Sequence, residues 1–586
     1  MVPRRGSGIV EATRDAVAIT QAPEPIGAPP IRKHRLRLRR SPLGFARDMS
    51  SAVREFLAAS RPRGFSGRGD KYLAEIAQDL RRRLLQTQHG FSHETCRLPD
   101  TPLSALASLL VEFAEDIHAE IGLWRALEAH NQQCFGSPLP FFVRADEATP
   151  LAGFDARRLQ HLLWTLWPSL KADIILNPAH KDLQRLAEVA SEFLSQRFAA
   201  LPKDSSVKHF LATENRFGWE IKRKLIWLGM QSYLFRLLYM VYVGEHGKGE
   251  PSVGVTDDFV CQNCTVWSGL GVIDVLAGAL DVPESDRATL RTWYERHTSF
   301  YRVLTCKVSG RETEFVTARN VVNGQTYTIR MGMPDCEWQP RLLVFGGLTP
   351  WRGEWYWSGE QRTYGPVPEE EEAKLRAEML AKNSSIAYRY CLKEAEMARE
   401  RTRYFHGKFA AHYGNDLVVF PDGLRLAAAE QKRMEAEWRA APPEKVEAAM
   451  REQGLTRPAP RMRFPPEFLE HEGGIGAFFN PAEGEEFMSG FNDVLSGLRK
   501  RGVDLSDDEQ SALWHLVTDG AISPAFVHRL VSEHGAESIA EAFSVRDQPP
   551  EQALAFLLRC HKGEYYRKRF PSLSLVNVGP LENQST

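Results

Sequence analysis

The sequence predicts a mainly α, multidomain protein of α+β type, with a small five-stranded barrel of the SH3 or OB kind at its centre. Three observations predict it. Apolar residues recur at helical spacing from about residue 69 to 298. The period then switches to strand-like alternation broken by turn pairs between 299 and 365. Helix-like runs rich in Ala, Glu, Lys and Arg resume after Pro366 and Pro368.

The chain has 586 residues, which calls for three or more folding units. Residues 1–68 hold 14 Arg and Lys against 5 acids and show almost no periodic apolar pattern, so they read as a disordered basic segment. Its densest run is Ile31 to Arg40. Met49 is an alternative start of translation, and Asp48 to Ser60 reads as a short amphipathic helix. Between 69 and 298 a helical module follows. Tyr72, Leu73, Ile76, Leu80 and Leu84 share one face of its first helix. Further helices are expected over 101–131, 154–166, 183–198, 214–243, 258–280 and 285–297, with prolines between several of them.

The stretch from Leu225 to Val243 is long and apolar enough to suggest a membrane span. Gln231 and Arg236 lie inside it, and an arginine in mid-span is costly in lipid, so a buried helix is expected and no membrane contact.

Five short runs make the barrel, residues 299–365: 299–308, 314–322, 326–331, 341–348 and 354–359. Asn323-Gly324 is the strongest hairpin signal, because both residues tolerate positive φ. Arg352-Gly353 marks another turn. A sheet this short must curl or dock to hide its edges.

Residues 366–455 read as a helical arm, with one long helix from Glu369 to Tyr413, a short break at 418–423 and one or two helices over 424–450. The acidic start of the long helix suits the positive end of its dipole. The last unit, 456–586, is expected to be helical. A proline-rich joint opens it, Pro481 starts a helix running to Arg501, Ser506 to Glu509 form a capping box, and the basic tail 562–571 ends it.

Composition excludes few functions. Apolar residues make up 43%, charged residues 25%, and the net charge is −1, so no overall field selects nucleic acid or an anionic membrane. Eight scattered cysteines argue for reduced thiols and a cytoplasmic setting. Cys261 and Cys264 form the one CxxC pair. Without a second short pair they are weak zinc candidates, and two buried small side chains are the plainer reading. Glu112, Glu115 and His118 resemble half of a di-iron carboxylate set, and Glu220-Ile221-Lys222 resembles part of a nuclease motif. Both sit on helices and read more simply as exposed polar stripes. Phosphate loops, dinucleotide fingerprints, HExxH and nucleophile elbows are missing from the sequence, so no cofactor is expected and an enzyme is disfavoured.

Two regions suit recognition. In the barrel, Trp351, Trp355 and Trp357 lie among Arg341 and Arg352, a mix suited to stacked bases or to peptides. Filling of the barrel by alternate aromatics competes with that reading. In the tail, Arg567, Lys568 and Arg569 beside Tyr566 could clamp phosphates, against a basic helix end. The expected function is a binding or adaptor protein that recognises nucleic acid or a protein partner. A metal-dependent hydrolase or nuclease with carboxylates from the helical module, or a structural subunit of a larger assembly, are the alternatives.

Five stretches together, 123–140, 217–236, 267–277, 348–361 and 557–576, resemble a family of large bacterial proteins catalogued only as a domain of unknown function. The resemblance implies a likeness over most of the chain from about residue 69 and a bacterial origin. It implies no activity, ligand or catalytic residue.

Overall fold

A computed structural model describes residues 49–91, 96–143, 151–171, 176–262, 268–309, 312–332, 338–453 and 464–571. The basic run 31–40 and Cys264 lie outside the described residues. Twelve helices form the first body: α1 (Met49–Ser60), α2 (Asp70–Gln88), α3 (Asp100–Ala119), α4 (Leu123–Phe135), α5 (Ala156–Leu170), α6 (Lys181–Phe198), α7 (Ser206–Leu211), α8 (Gly218–Gln231), α9 (Arg236–His246), α10 (Val253–Gln262), α11 (Val272–Ala279) and α12 (Glu284–Arg291). Their apolar faces share one core, with Leu73, Ile76, Leu80 and Leu84 of α2 all buried in it, as their spacing predicts.

Residues 49–60 form the short helix expected over 48–60 and so depart from the disordered segment expected over 1–68. Val53 and Leu57 of α1 lie buried in that same core, so α1 is part of the first body. The helix expected over 214–243 is interrupted between α8 and α9. Arg236 begins α9 and pairs with buried Glu112 at 2.6 Å, which is how the body holds the charge that disfavoured a membrane span. Among the described residues no helix is long and apolar enough to cross a membrane. Asp116 provides a second polar anchor. Its carboxylate accepts the N–H groups of Gly122, Leu123 and Trp124 and the Tyr233 hydroxyl, tying α3 to the start of α4.

The period-two segment folds as expected. Strands β1 (Thr298–Ser309), β2 (Glu312–Asn320), β3 (Thr326–Arg330), β4 (Leu342–Trp351) and β5 (Glu354–Pro366) close a barrel in the order β1-β2-β3-β5-β4. All pairs are antiparallel except β3 with β5. The β4–β5 hairpin turns at Arg352 and Gly353, with φ of 48° and 82°, the left-handed pair that a tight hairpin of this kind requires. Tyr301, Val303, Val316, Ala318, Tyr327, Ile329, Val344 and Leu348 fill the interior.

The arm differs from one long helix. Helix α13 (Glu369–Lys382) ends at Asn383, whose side chain accepts the Ser385 N–H, and a short 3-10 turn follows at Ser384–Ala387. Three residues with side chains that compete for backbone hydrogen bonds, Asn383, Ser384 and Ser385, account for the break. Helix α14 (Leu392–Tyr413) resumes after it.

The remaining elements are β6 (Leu417–Phe420), α15 (Gly423–Ala440), α16 (Pro443–Gln453), α17 (Pro466–Leu469), β7 (Ile475–Asn480), β8 (Gly484–Ser489), α18 (Phe491–Arg499), α19 (Asp507–Thr518), α20 (Pro524–His534), α21 (Glu537–Ala542) and α22 (Pro550–His561). Strands β6, β7 and β8 form a second sheet. Pro481 therefore lies in a hairpin turn, not at a helix start. Every residue of β7 is buried, because Ile475, Ala477 and Phe479 face the arm while Phe478 faces the last helices. A short run of this kind, apolar up to its closing Asn480, carries no period by which to tell strand from helix.

Candidate functional site

The first body, the barrel and the arm meet at a buried charged junction. Asp257 of α10 is its centre, 1% exposed. Lys222 of α8 touches one of its carboxylate oxygens and Arg296 touches the other. The Lys222 Nζ also lies 3.0 Å from the Ser358 hydroxyl and 3.2 Å from the Cys261 sulfur. Ser358 of β5 donates to Asp257 at 3.1 Å, and its carbonyl accepts from Arg296 at 3.3 Å. Burial lowers the Lys222 pKa; the Cys261 sulfur opposes this and Arg296 reinforces it. Two cations share one carboxylate, so this trio carries a net positive charge.

Glycine makes room for it. A Cβ on Gly347 of β4 would sit 2.9 Å from the Arg296 Nε, and one on Gly359 of β5 would sit 2.6 Å from Asp257 Oδ2. Glycine inside a strand marks just such a close approach.

Beside the junction lies a cavity of about 470 Å³. Phe300, Phe345, Leu375, Met379 and Ile386 supply apolar wall; Arg296, Arg389, His297 and Gln262 supply polar groups, with Asp258 and Glu378 also on the wall. Arg389 donates to the carbonyls of Tyr294 at 2.9 Å and Arg296 at 3.2 Å. Its Nε is buried with no hydrogen-bond partner, and so is the Arg296 Nε. Among the described residues no carboxylate forms an ion pair with Arg389. Burial lowers its pKa to about 10; Tyr390 and Glu295 oppose this, and Arg296 and Arg569 add to it. His297 is held neutral, with its pKa lowered to about 3 by burial and by Arg389.

The residues singled out in the sequence do not converge on this cavity. Trp351 is wholly buried in the first body's core, where its indole N–H donates to the Asn215 carbonyl at 3.0 Å, so its ring is not offered for stacking. Trp355 packs edge-on against Tyr327 and Tyr390. Trp357 stacks on Trp338 at 6.0 Å and meets Tyr301 edge-on. Arg341 is exposed in a left-handed conformation at φ 74°, and Arg352 pairs with Asp286 at 2.6 Å.

In the tail, Arg567 lies over the Tyr294 ring at 3.4 Å and 3.7 Å from Asp274. Lys568 pairs with Glu295, and Arg569 pairs with Glu483 at 2.6 Å. Tyr566 lies beneath the Arg559 guanidinium at 4.2 Å. The tail thus clamps the first body to the β7–β8 hairpin.

The carboxylates weighed for metal are engaged elsewhere. Glu112 pairs with Arg236, Glu115 with Arg61 at 2.8 Å, and Glu220 caps the Phe217 N–H at 2.9 Å. His118 bonds the Leu201 carbonyl at 3.1 Å. Lys222, read as exposed, keeps only 14% of its side chain accessible. Cys261 is wholly buried against the Lys222 ammonium, a cation where a zinc ligand set would need the metal. Sequence spacing gave no hint of Asp257, Arg296 or Arg389. The glycines at 346, 347 and 359 inside strands were the available signal.

Fold and site together define a mainly helical, barrel-bearing protein with a charged cavity where its bodies join. Within it, residues 68–239 match a family described as "Protein of unknown function (DUF3843)". The resembling stretches 123–140 and 217–236 lie inside that match, whereas 267–277, 348–361 and 557–576 lie beyond it. No curated protein and no solved structure matches the chain.

Proposed function

We propose that the chain is a binding protein whose ligand is a small organic anion held in the junction cavity. One observation carries the reading: Arg389, half-buried with its Nε fully enclosed and without a hydrogen-bond partner, and with no carboxylate ion pair among the described residues, lines a cavity of small-molecule size. A buried cation without a counterion is costly, and a bound anion removes that cost. The apolar wall favours a ligand with a hydrocarbon or aromatic body. Asp258 and Glu378 favour one that also carries a hydroxyl or amine donor. Scattered cysteines support a reducing, cytoplasmic setting.

Thermal melting of the full chain with a panel of hydroxy acids, amino acids and phosphate esters tests this. Saturation at about a hundred times Kd adds roughly 2.7 kcal/mol, enough to raise Tm by a few degrees. Arg389→Gln is expected to remove the response while keeping the fold. If no member of the panel shifts Tm, or if the Arg389→Gln shift equals that of the wild type, the reading is wrong.

A further inference from the structure

A separate cluster lies at the start of α6, about which spacing along the sequence says nothing. Cys96, His180 and Asp182 bring one ligand atom each to within 4.8 Å of one another. Cys96 is 4% exposed and Asp182 5%. The Asp182 Oδ2 is buried with no hydrogen-bond partner. Among the described residues, the basic group within 4 Å of it is the imidazole of His180, whose Nδ1 stands 4.0 Å away and accepts a long 3.3 Å bond from the Asp182 N–H. A buried carboxylate oxygen with no donor is as costly as an unpaired cation.

From this geometry we infer that Cys96 Sγ, a ring nitrogen of His180 and an Asp182 carboxylate oxygen form a zinc site. Thiolate, imidazole and carboxylate are the ligand types zinc takes, and the thiolate excludes magnesium and calcium. With bonds of about 2.0–2.3 Å, tetrahedral ligand atoms stand roughly 3.3–3.8 Å apart. The three side chains therefore close by at most about 1.5 Å around the ion. Three protein ligands leave one position for water. The ion supplies the positive charge that Asp182 lacks and pins the segment before α3 to the N-terminus of α6. All three ligands fall inside the matched span 68–239. This site is remote in sequence from the junction cavity and stands independently of the ligand proposed there.

The test uses the full chain purified without chelators or a polyhistidine tag. Elemental analysis is expected to find about one zinc per chain. A chelator is expected to lower Tm, and added zinc to restore it. Cobalt substitution is expected to give the near-ultraviolet thiolate-to-metal band that reports Cys96 ligation. Cys96→Ser and Asp182→Asn are each expected to weaken zinc binding by at least the roughly 10–100-fold seen when even an outer-shell partner is lost. Cys261→Ala is expected to bind as the wild type does. The inference is overturned if the apo wild type shows no zinc-dependent rise in Tm, or if its cobalt form lacks the thiolate band. Both measurements use the wild type, so they stand even where a variant fails to fold.

Discussion

Single residues decide how the junction holds together. Among the described residues, Asp257 is the one carboxylate contacting both Lys222 and Arg296 there. Asp257→Ala leaves two buried cations uncompensated, and a loss of roughly 3–5 kcal/mol is expected in denaturant unfolding. Lys222→Met should be far milder, because Arg296 still balances Asp257. A second residue sets a response to acid. His161 is wholly buried among the rings of Trp124, Phe142 and Trp164, and neither ring nitrogen has a partner. Burial lowers its pKa to about 3. The unfolded chain takes up this proton below about 6.5 while the folded chain does not. Its contribution is therefore complete above pH 6.5 and is lost as pH falls towards 3. Glu486, raised to about 7 by burial, acts in the opposite sense. The effect of Glu486 cancels when His161→Phe is compared with the wild type. Between pH 7.5 and 5 the variant is expected to lose roughly 2 kcal/mol less stability. Equal losses would show that His161 is protonated in the folded state.

At the scale of elements, strand glycines let the barrel approach the helical body. Gly347→Ala drives a methyl group towards the Arg296 Nε, and a loss of roughly 1–3 kcal/mol is expected by thermal or urea unfolding. An Ala at Gly324, where nothing lies within 4 Å, tests backbone conformation alone, because its φ is +73°. Elements with a strong period were legible from sequence. The five barrel strands declare themselves by alternation and by the Asn323-Gly324 and Arg352-Gly353 turns; α2 does so by its apolar face. Strand β7 was not legible, since a strand covered on both faces has no alternation to show. The break at Asn383 was written in the residues, yet the helix formers on either side outweighed it in the reading. The junction was the least legible, because Lys222, Asp257, Arg296, Ser358 and Arg389 come from five separate segments. Only the fold brings them together.

At the scale of the whole molecule, the charge of the described basic tail is paired rather than displayed. Arg567, Lys568 and Arg569 meet Asp274, Glu295 and Glu483, so the tail offers phosphates little free charge. Retention on immobilised DNA or RNA is accordingly expected to be weak at low salt and lost with modest added salt. A slope corresponding to several phosphate contacts would instead restore the tail as a nucleic-acid surface. The clamp also has a consequence for how the protein comes into being. Lys568 stands 273 positions after Glu295. At about 5–20 residues per second, a ribosome needs roughly 15–55 s to travel that distance. Throughout that interval the emerging helical body carries carboxylates whose counterions have yet to be synthesised. Closure of the clamp therefore waits on synthesis of residues 567–569.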